Sequence, residues 1–176
     1  NESNENNNEV DATQSINGEI NNNSNDASSY AKEYSTKTSY EISKDFCMPT
    51  TTAFVFEIKN GVLSLTNKST GESSTFQNVT NFKNLEYVQL YTSCTSYAIY
   101  LLTDDGKIYE STISLSDINN VNNLNNMFRL VELPINVKEI GIIKTPDSPA
   151  TAEMVLLKDE NNVEYYGAGK NYSKIS

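Results

Sequence analysis

The chain has 176 residues, a formal net charge of −10 and no histidine. The negative charge argues against a nucleic-acid partner, because phosphate binding is driven by Lys and Arg, and Arg129 is the only arginine. Without histidine the chain lacks the commonest general base, the Ser-His and Cys-His catalytic pairs and the commonest metal ligand. The length fits one domain with an additional tail.

Residues 1–30 are dominated by Asn, Glu, Ser and Asp, with few apolar residues such as Val10 and Ile16. This composition cannot bury enough apolar area to offset the entropy of ordering, so it predicts a disordered Asn-rich tail or spacer. A polar start before a folded body is typical of bacterial lipoproteins. We expect an extracellular or cell-surface protein of the bacterial envelope, without a transmembrane segment and with room for a lipid anchor upstream of residue 1. A plain secreted protein and an internal fragment are the alternatives.

The first hairpin signal is Asn60-Gly61, which stands between two segments of alternating apolar and polar residues. Asn-Gly favours a two-residue type I′ turn, because both central residues of that turn need positive φ. Such a turn pairs Ile58 with Leu63 on one face of the hairpin.

Two further hairpins show the same alternation. The second turns at Asp104-Asp105-Gly106, and in the third Asn161 takes the place of Gly106. Asn is the residue other than Gly that best tolerates left-handed backbone. We therefore predict equivalent hairpins over residues 53–66, 98–111 and 153–166.

The hairpins belong to a longer repeat. Phe76–Val79 and Phe128–Val131 stand at equal distances before Tyr87 and Glu139. A period of about 40–50 residues with several strands per unit is typical of propeller blades and similar arrays. We predict a single β domain over residues 31–176, with about three repeats at 38–66, 76–112 and 128–168.

Two stretches, Phe128–Ile140 and Leu101–Tyr109, resemble degenerate regulator-of-chromosome-condensation repeats. The resemblance implies blades of the β-propeller type. Thr95 and Ala98 stand where the family carries Gly and His, and about three units are present where a closed ring has about seven. The exchange-factor activity of the family is not expected here, because propellers host unrelated functions. We predict a mainly β fold of antiparallel hairpin repeats, forming either a partial propeller-like array or a compact β sheet or sandwich.

One segment departs from the β pattern. Between Ser114 and Met127, apolar residues such as Val121 and Leu124 recur at every third position. Ser116 is a suitable N-cap for a helix, but Asn is a poor helix former. The spacing predicts one short helix or structured loop near residues 115–127. We interpret it as packing in preference to a contact element.

Tyrosine is the residue type that best suits a binding surface in this chain, because it is enriched in interface cores. The alternative is that Tyr simply favours strands in a chain without Trp. The candidate binding residues cluster around the second and third hairpins and are Tyr91, Tyr97, Tyr100, Tyr109, Tyr165 and Tyr166.

No metal site, cofactor or catalytic residue is predicted. The acidic residues of the turns, such as Asp105 and Asp159, match no calcium-loop spacing, and Asp is expected in turns in any case. The chain also lacks a Gly-rich phosphate loop and a nucleophile elbow.

Cys47 and Cys94 are the two cysteines of the chain. They occupy equivalent places in successive repeats, and an even count in an exported protein favours pairing. We predict a disulfide between them; two buried free thiols are the alternative.

These observations predict a non-enzymatic cell-envelope or secreted binding or scaffold module with a protein or glycan partner. The alternative is a cell-surface hydrolase that acts through carboxylates, because such pairs meet in space and leave no sequence motif.

Overall fold

A computed structural model of the chain describes residues 14–42, 53–89, 97–113, 120–145 and 152–175. Over these described residues it is mainly β, which confirms the predicted fold class. The described strands are β1 Ser15–Asn17, β2 Glu19–Asn25, β3 Ala31–Tyr34, β4 Ser39–Ile42, β5 Phe54–Lys59, β6 Val62–Asn67, β7 Ser73–Thr75, β8 Phe82–Gln89, β9 Tyr97–Thr103, β10 Ile108–Ile113, β11 Arg129–Glu132, β12 Val137–Thr145, β13 Ala152–Asp159, β14 Glu164–Ala168 and β15 Asn171–Ile175.

The described strands form three sheets, and each sheet is built on four consecutive antiparallel strands. Sheet 1 contains β4–β7, sheet 2 contains β8–β11 and sheet 3 contains β12–β15. The three predicted hairpins are present as β5–β6, β9–β10 and β13–β14, at the centre of each four-stranded unit. Each predicted hairpin therefore lies in a different sheet, but the predicted repeat bounds differ from those of the sheets: residues 128–168 include β11 of sheet 2, and residues 38–66 leave out β7 of sheet 1.

The first hairpin turns as predicted. Asn60 and Gly61 have φ values of 52° and 80°, and Ile58 pairs with Leu63. Gly61 also lies close to the start of the next repeat: a Cβ atom at this position would stand 2.1 Å from the backbone oxygen of Thr80. Glycine is therefore required here both by the turn and by the contact between repeats.

Backbone hydrogen bonds at the hairpin turns join each four-stranded unit to the next. The carbonyl oxygen of Gly61 accepts a hydrogen bond from the backbone N–H of Phe82 (2.9 Å), at the start of β8. The carbonyl oxygen of Gly106 accepts one from Val137 (3.0 Å), at the start of β12. The turn of one hairpin thus fixes the first strand of the following sheet.

The third turn differs from the prediction by one residue. The positive φ (62°) belongs to Asn162 and not to Asn161. The third turn has the same backbone hydrogen bonds as the second: the N–H of Asn162 donates to the Asp159 carbonyl and that of Gly106 donates to the Thr103 carbonyl, both at 3.1 Å. Asn162, and not Asn161, therefore takes the place of Gly106. The Oδ1 of Asp159 supports the turn by accepting hydrogen bonds from the backbone N–H groups of Asn161 and Val163 at 2.9 and 3.0 Å.

The sheets stack as layers with an apolar core on each side of sheet 2. Strand β9 is buried on both faces, because its alternate side chains enter the two cores. The first core lies between sheets 1 and 2 and includes Phe54, Phe56, Leu63, Leu65, Leu85, Ile99, Leu101 and Phe128. The second core lies between sheets 2 and 3 and includes Val88, Tyr100, Leu102, Ile140, Val155, Leu157 and Tyr172.

The N-terminal segment, residues 14–34, covers the edges and the outer face of the stack. Strands β1 and β2 pair in parallel with β11 and β15, and β3 pairs antiparallel with β12. Ala27 is buried on the outer face of sheet 3. Composition predicts disorder up to residue 30, whereas the structure has strands β1 and β2 in this range. Pairing at the edge of a sheet uses backbone N–H and C=O groups and needs few apolar side chains. An Asn-rich segment can therefore form an edge strand.

The helical content is small and packs against sheet 1. A 3₁₀ turn spans Val121–Asn123 and α1 spans Leu124–Met127. Val121 and Leu124 are buried in the first core, in agreement with the predicted packing element. Among the described residues, no helix is long and apolar enough to cross a membrane.

Candidate functional site

The predicted tyrosines do not form one exposed platform. Tyr100 and Tyr165 are buried in the second core and Tyr109 in the first, because successive strand residues face opposite sides. Tyr97 lies in β9, but its side chain is outside the described part of the chain, as is the whole of Tyr91. Of the predicted tyrosines whose side chains are described, Tyr166 lines a surface groove.

The groove lies on the outer face of sheet 3 and has a volume of about 640 Å³. This is within the usual size range of ligand pockets. It occupies the part of the face that borders β2 and β15. Its lining residues are Glu19, Ile20, Asn21, Met154, Tyr166, Gly167, Asn171, Tyr172 and Ser173.

Strand register places the groove side chains in two neighbouring rows. Tyr166 pairs with Ser173, and Ser173 pairs with Asn21, so these three side chains cross β14, β15 and β2 in order. Asn171 and Glu19 form a second pair two residues away and therefore face the same side. The rows give the groove a polar rim on the two outer strands.

The inner end of the groove is apolar. Tyr166 and Met154 are both half-buried and pack on the apolar cluster of the outer face. Asn21, Asn171 and Glu19 at the rim are exposed. Glu19 is the charged residue among the described lining residues. The groove thus combines an aromatic and thioether floor with amide groups and one carboxylate.

Beside the groove, an ionic cluster fastens β3 onto the sheet. Lys32 Nζ lies 2.9 Å from Glu164 Oε1, and the hydroxyl of Tyr34 donates to Glu164 Oε2. Lys158 Nζ lies 4.3 Å from the ring centre of Tyr34 and 3.2 Å from Glu139 Oε2. We call these five residues the clasp.

The clasp shifts two pKa values in opposite directions. Burial of Glu164 raises its pKa, but the hydrogen bonds from Tyr34 and Lys32 and the charges of both lysines outweigh this, so the net pKa is below its usual value. Burial and the bonded Glu164 carboxylate raise the pKa of Tyr34. The carboxylate is therefore held ionised and the phenol protonated.

Among the described residues, the two most buried carboxylates lie in a row across sheet 2, on the face toward sheet 3. Glu86 and Glu110 are 1% and 3% exposed, and both pair with Tyr100. Lys37 Nζ is 2.7 Å from Glu86 Oε1, and Arg129 Nη2 is 3.0 Å from Glu110 Oε1. Each carboxylate is thus neutralised by its own cation, with the Tyr100 ring between them.

Tyr100 extends the row to sheet 3. Its hydroxyl accepts a hydrogen bond from the backbone N–H of Gly169 (2.9 Å), and the Tyr172 hydroxyl donates to the Gly169 carbonyl (3.1 Å). Burial and the negative charge of Glu110 raise the pKa of Tyr100. The Tyr100 hydroxyl therefore stays protonated at ordinary pH, and the row joins sheet 2 to sheet 3 through these hydrogen bonds.

The acidic turn residues make structural contacts. Asp105 Oδ1 accepts from the Thr103 hydroxyl (2.5 Å) and the Asn81 side-chain amide (3.0 Å). The Thr103 hydrogen bond is the main reason why the pKa of Asp105 is below its usual value. Within the described ranges, no group of three or more His, Cys, Asp or Glu side chains could hold a metal ion.

Sequence reasoning missed most of the groove. Its predicted third repeat ended at residue 168, so β15 with Asn171 and Ser173 was not recognised. The signal was present: Gly169 marks a turn, with φ of 63°, and Asn171-Tyr172-Ser173 alternates between polar and aromatic residues. The contribution of β2 was not predictable from composition. The predicted disulfide partners, Cys47 and Cys94, lie outside the described residues.

Comparisons of the chain with protein-family models, with curated proteins and with solved structures find no match. The resemblance to regulator-of-chromosome-condensation repeats therefore stays a prediction from the sequence.

Proposed function

We propose that this chain is a non-enzymatic binding module, exported to the cell surface or secreted, and that the groove on sheet 3 holds a glycan chain. The observation that carries the proposal is the position of Tyr166. Its half-buried ring lies on the floor of a ligand-sized groove, beside a rim of Asn and Ser side chains. An aromatic face packs well against the C–H face of a sugar ring, and amide and hydroxyl groups match sugar hydroxyls.

A glycan suits this groove better than a large protein surface. The clasp flanks the groove and contains both Lys32 and Glu164, whereas the buried centre of protein interfaces is depleted in charged residues. An anionic ligand is disfavoured, because Glu19 lies at the rim and the net charge of the chain is −10. These features support a neutral, extended ligand.

The hydrolase alternative has less support. Glycoside hydrolysis ordinarily needs two carboxyl groups on either side of the scissile bond. Glu86 and Glu110 are close to each other on sheet 2, but Tyr100 separates them, and each buried carboxylate is ion-paired with a partly exposed cation. In the groove, Glu19 is the carboxylate among the described lining residues.

The test is a glycan array followed by calorimetric titration of the tightest ligand with the full chain. We expect Tyr166→Ala to weaken binding at least tenfold and Tyr166→Phe to retain most of it, since the ring face provides the contact. Ser64→Ala, on the remote outer face of sheet 1, is the control and should bind normally. No bound glycan on the array, or equal affinity of Tyr166→Ala, would refute the proposal; new reducing ends in the titrated sample would favour the hydrolase.

A further inference from the structure

We infer that the groove selects sugars that carry a 2-acetamido group. This inference rests on the proposed function and specifies its ligand. It starts from the floor of the groove, where Met154 lies beside Tyr166. Leu156 pairs with Tyr166 across β13 and β14, and Met154 is two residues from Leu156 on the same face. The thioether is therefore a neighbour of the ring that a sugar would cover.

Met154 provides an apolar contact that a sugar bearing only hydroxyl groups would not use. A hydroxyl group placed against a thioether loses hydrogen bonds to water and gains none in return. When the methyl of an acetamido group packs against Met154, apolar area of both groups is removed from water. The floor of the groove thus favours an acetamido group over a hydroxyl at the same ring position.

The rim provides amide partners. Asn21 and Asn171 stand on β2 and β15, in the two rows of side chains that cross the groove. A side-chain amide carries a carbonyl acceptor and N–H donors, which are the counterparts of the N–H and C=O of an acetamido group. The Oδ1 of Asn21 already accepts a hydrogen bond from the backbone N–H of Asn23 (3.0 Å), so Asn21 offers mainly its N–H donors to a ligand. Both residues are exposed and face the groove.

Charge distinguishes the acetamido sugar from its deacetylated form. An ammonium group would be attracted to Glu19, which is exposed at the rim, but it would lose hydration against Met154 and Tyr166. Because Glu19 is in contact with water, its attraction for a cation is weak and screened by salt. The acetylated form is therefore the expected ligand.

The experiment compares three oligosaccharides of one length and linkage by calorimetric titration: chitotetraose, cellotetraose and fully deacetylated chitotetraose. They differ only in the group at position 2, which is acetamido, hydroxyl or ammonium. We expect chitotetraose to bind at least tenfold more tightly than either of the others. Equal binding of cellotetraose would overturn this inference and leave the proposed function in place. Tightest binding of the ammonium form would also overturn it, and would indicate that Glu19 selects a cationic sugar.

Four variants separate the floor contact from general loss of structure. Met154→Ala should lower the preference for chitotetraose over cellotetraose, and Met154→Leu should keep it, because an apolar side chain remains. Tyr166→Ala should weaken both ligands alike. Asn122→Ala removes an exposed amide in the 3₁₀ turn near sheet 1 and should change neither affinity. An unchanged preference in Met154→Ala would overturn the inference, and failure of all three ligands to bind would count against the proposed function itself.

Discussion

Lys32 Nζ lies 2.9 Å from Glu164 Oε1, an ion pair between residues that are 132 positions apart in the chain. Tyr34 donates to the other carboxylate oxygen. Since Lys32 and Tyr34 both belong to β3, one carboxylate on β14 holds the N-terminal segment against the outer face of sheet 3. The part of the outer-face apolar cluster that contains Ala27 and Tyr30 is thereby held in place, whereas Tyr166 and Met154 of the same cluster line the groove.

Replacement of Glu164 should destabilise the protein. Glu164→Gln removes the charged carboxylate that accepts hydrogen bonds from Lys32 and Tyr34. We expect the free energy of unfolding to fall by about 1–2 kcal/mol in urea titrations at neutral pH. The control is Glu41→Gln, because Glu41 forms a longer, exposed pair with Lys68 (3.4 Å). That change should cost less than about 0.5 kcal/mol. Equal losses in the two variants would show that the clasp is no stronger than a surface pair.

The Glu164 contribution should depend on pH. Its pKa in the folded protein is below its usual value, so the carboxylate stabilises the fold above the unfolded pKa of about 4.3. This stabilisation is lost as the pH falls through the lower folded pKa. The difference in unfolding free energy between wild type and Glu164→Gln should therefore shrink between about pH 6 and pH 3. A difference that stays constant over this range would contradict the assignment.

The N-terminal strands should be protected from hydrogen exchange. The backbone N–H of Gly18 donates to the Glu132 carbonyl and that of Glu19 donates to the Lys170 carbonyl, both at 2.7 Å. We expect measurable protection at both amides by NMR, although less than in β9, which lies between two cores. Exchange at random-coil rates at Gly18 and Glu19 would instead support the disordered tail that composition predicts.

Two glycines with similar backbone angles test the contact between repeats. Gly61 and Gly71 have φ values of 80° and 77°, but a Cβ at Gly61 would meet Thr80 whereas one at Gly71 has no atom within 4 Å. Gly71→Ala should cost about 1 kcal/mol from backbone strain alone. Gly61→Ala should cost at least about 1 kcal/mol more, because the turn must move away from β8. Equal losses in thermal or urea unfolding would rule out a close turn-to-strand contact.

The disulfide between Cys47 and Cys94 remains a prediction from the sequence. A loop of this length would stabilise the fold by about 4 kcal/mol in the chain-entropy model. Intact-mass measurement of the unreduced, denatured protein after alkylation should show no adduct. Two adducts would indicate free thiols.

Local signals predicted the hairpins well, because the features of a turn are encoded in neighbouring residues. Asn60-Gly61 set both the turn type and the pairing of Ile58 with Leu63. In the third turn the left-handed residue was predicted one position too early, because Asn161 was matched with Gly106, whereas the backbone hydrogen bonds match Asn162 with Gly106.

Long-range features were not predictable in the same way. Strand β2 pairs with β15 from the other end of the chain, and nothing in an Asn-rich stretch indicates which edge it will fill. The tyrosines illustrate the same limit: Tyr165 and Tyr166 are adjacent in sequence, yet Tyr165 enters a core and Tyr166 faces the groove. Alternation shows that they face opposite sides but does not show which side is open.

The central claim, that sheet 3 carries the binding site, is tested most directly by NMR titration of the full chain with chitotetraose. The account predicts that amide shifts change at Asn21, Tyr166 and Ser173 and at their neighbours on β2, β14 and β15. Amides of sheet 1, such as Ser64, should remain unchanged. Shifts that concentrate on sheet 1, or binding that leaves β14 and β15 unperturbed, would contradict the account.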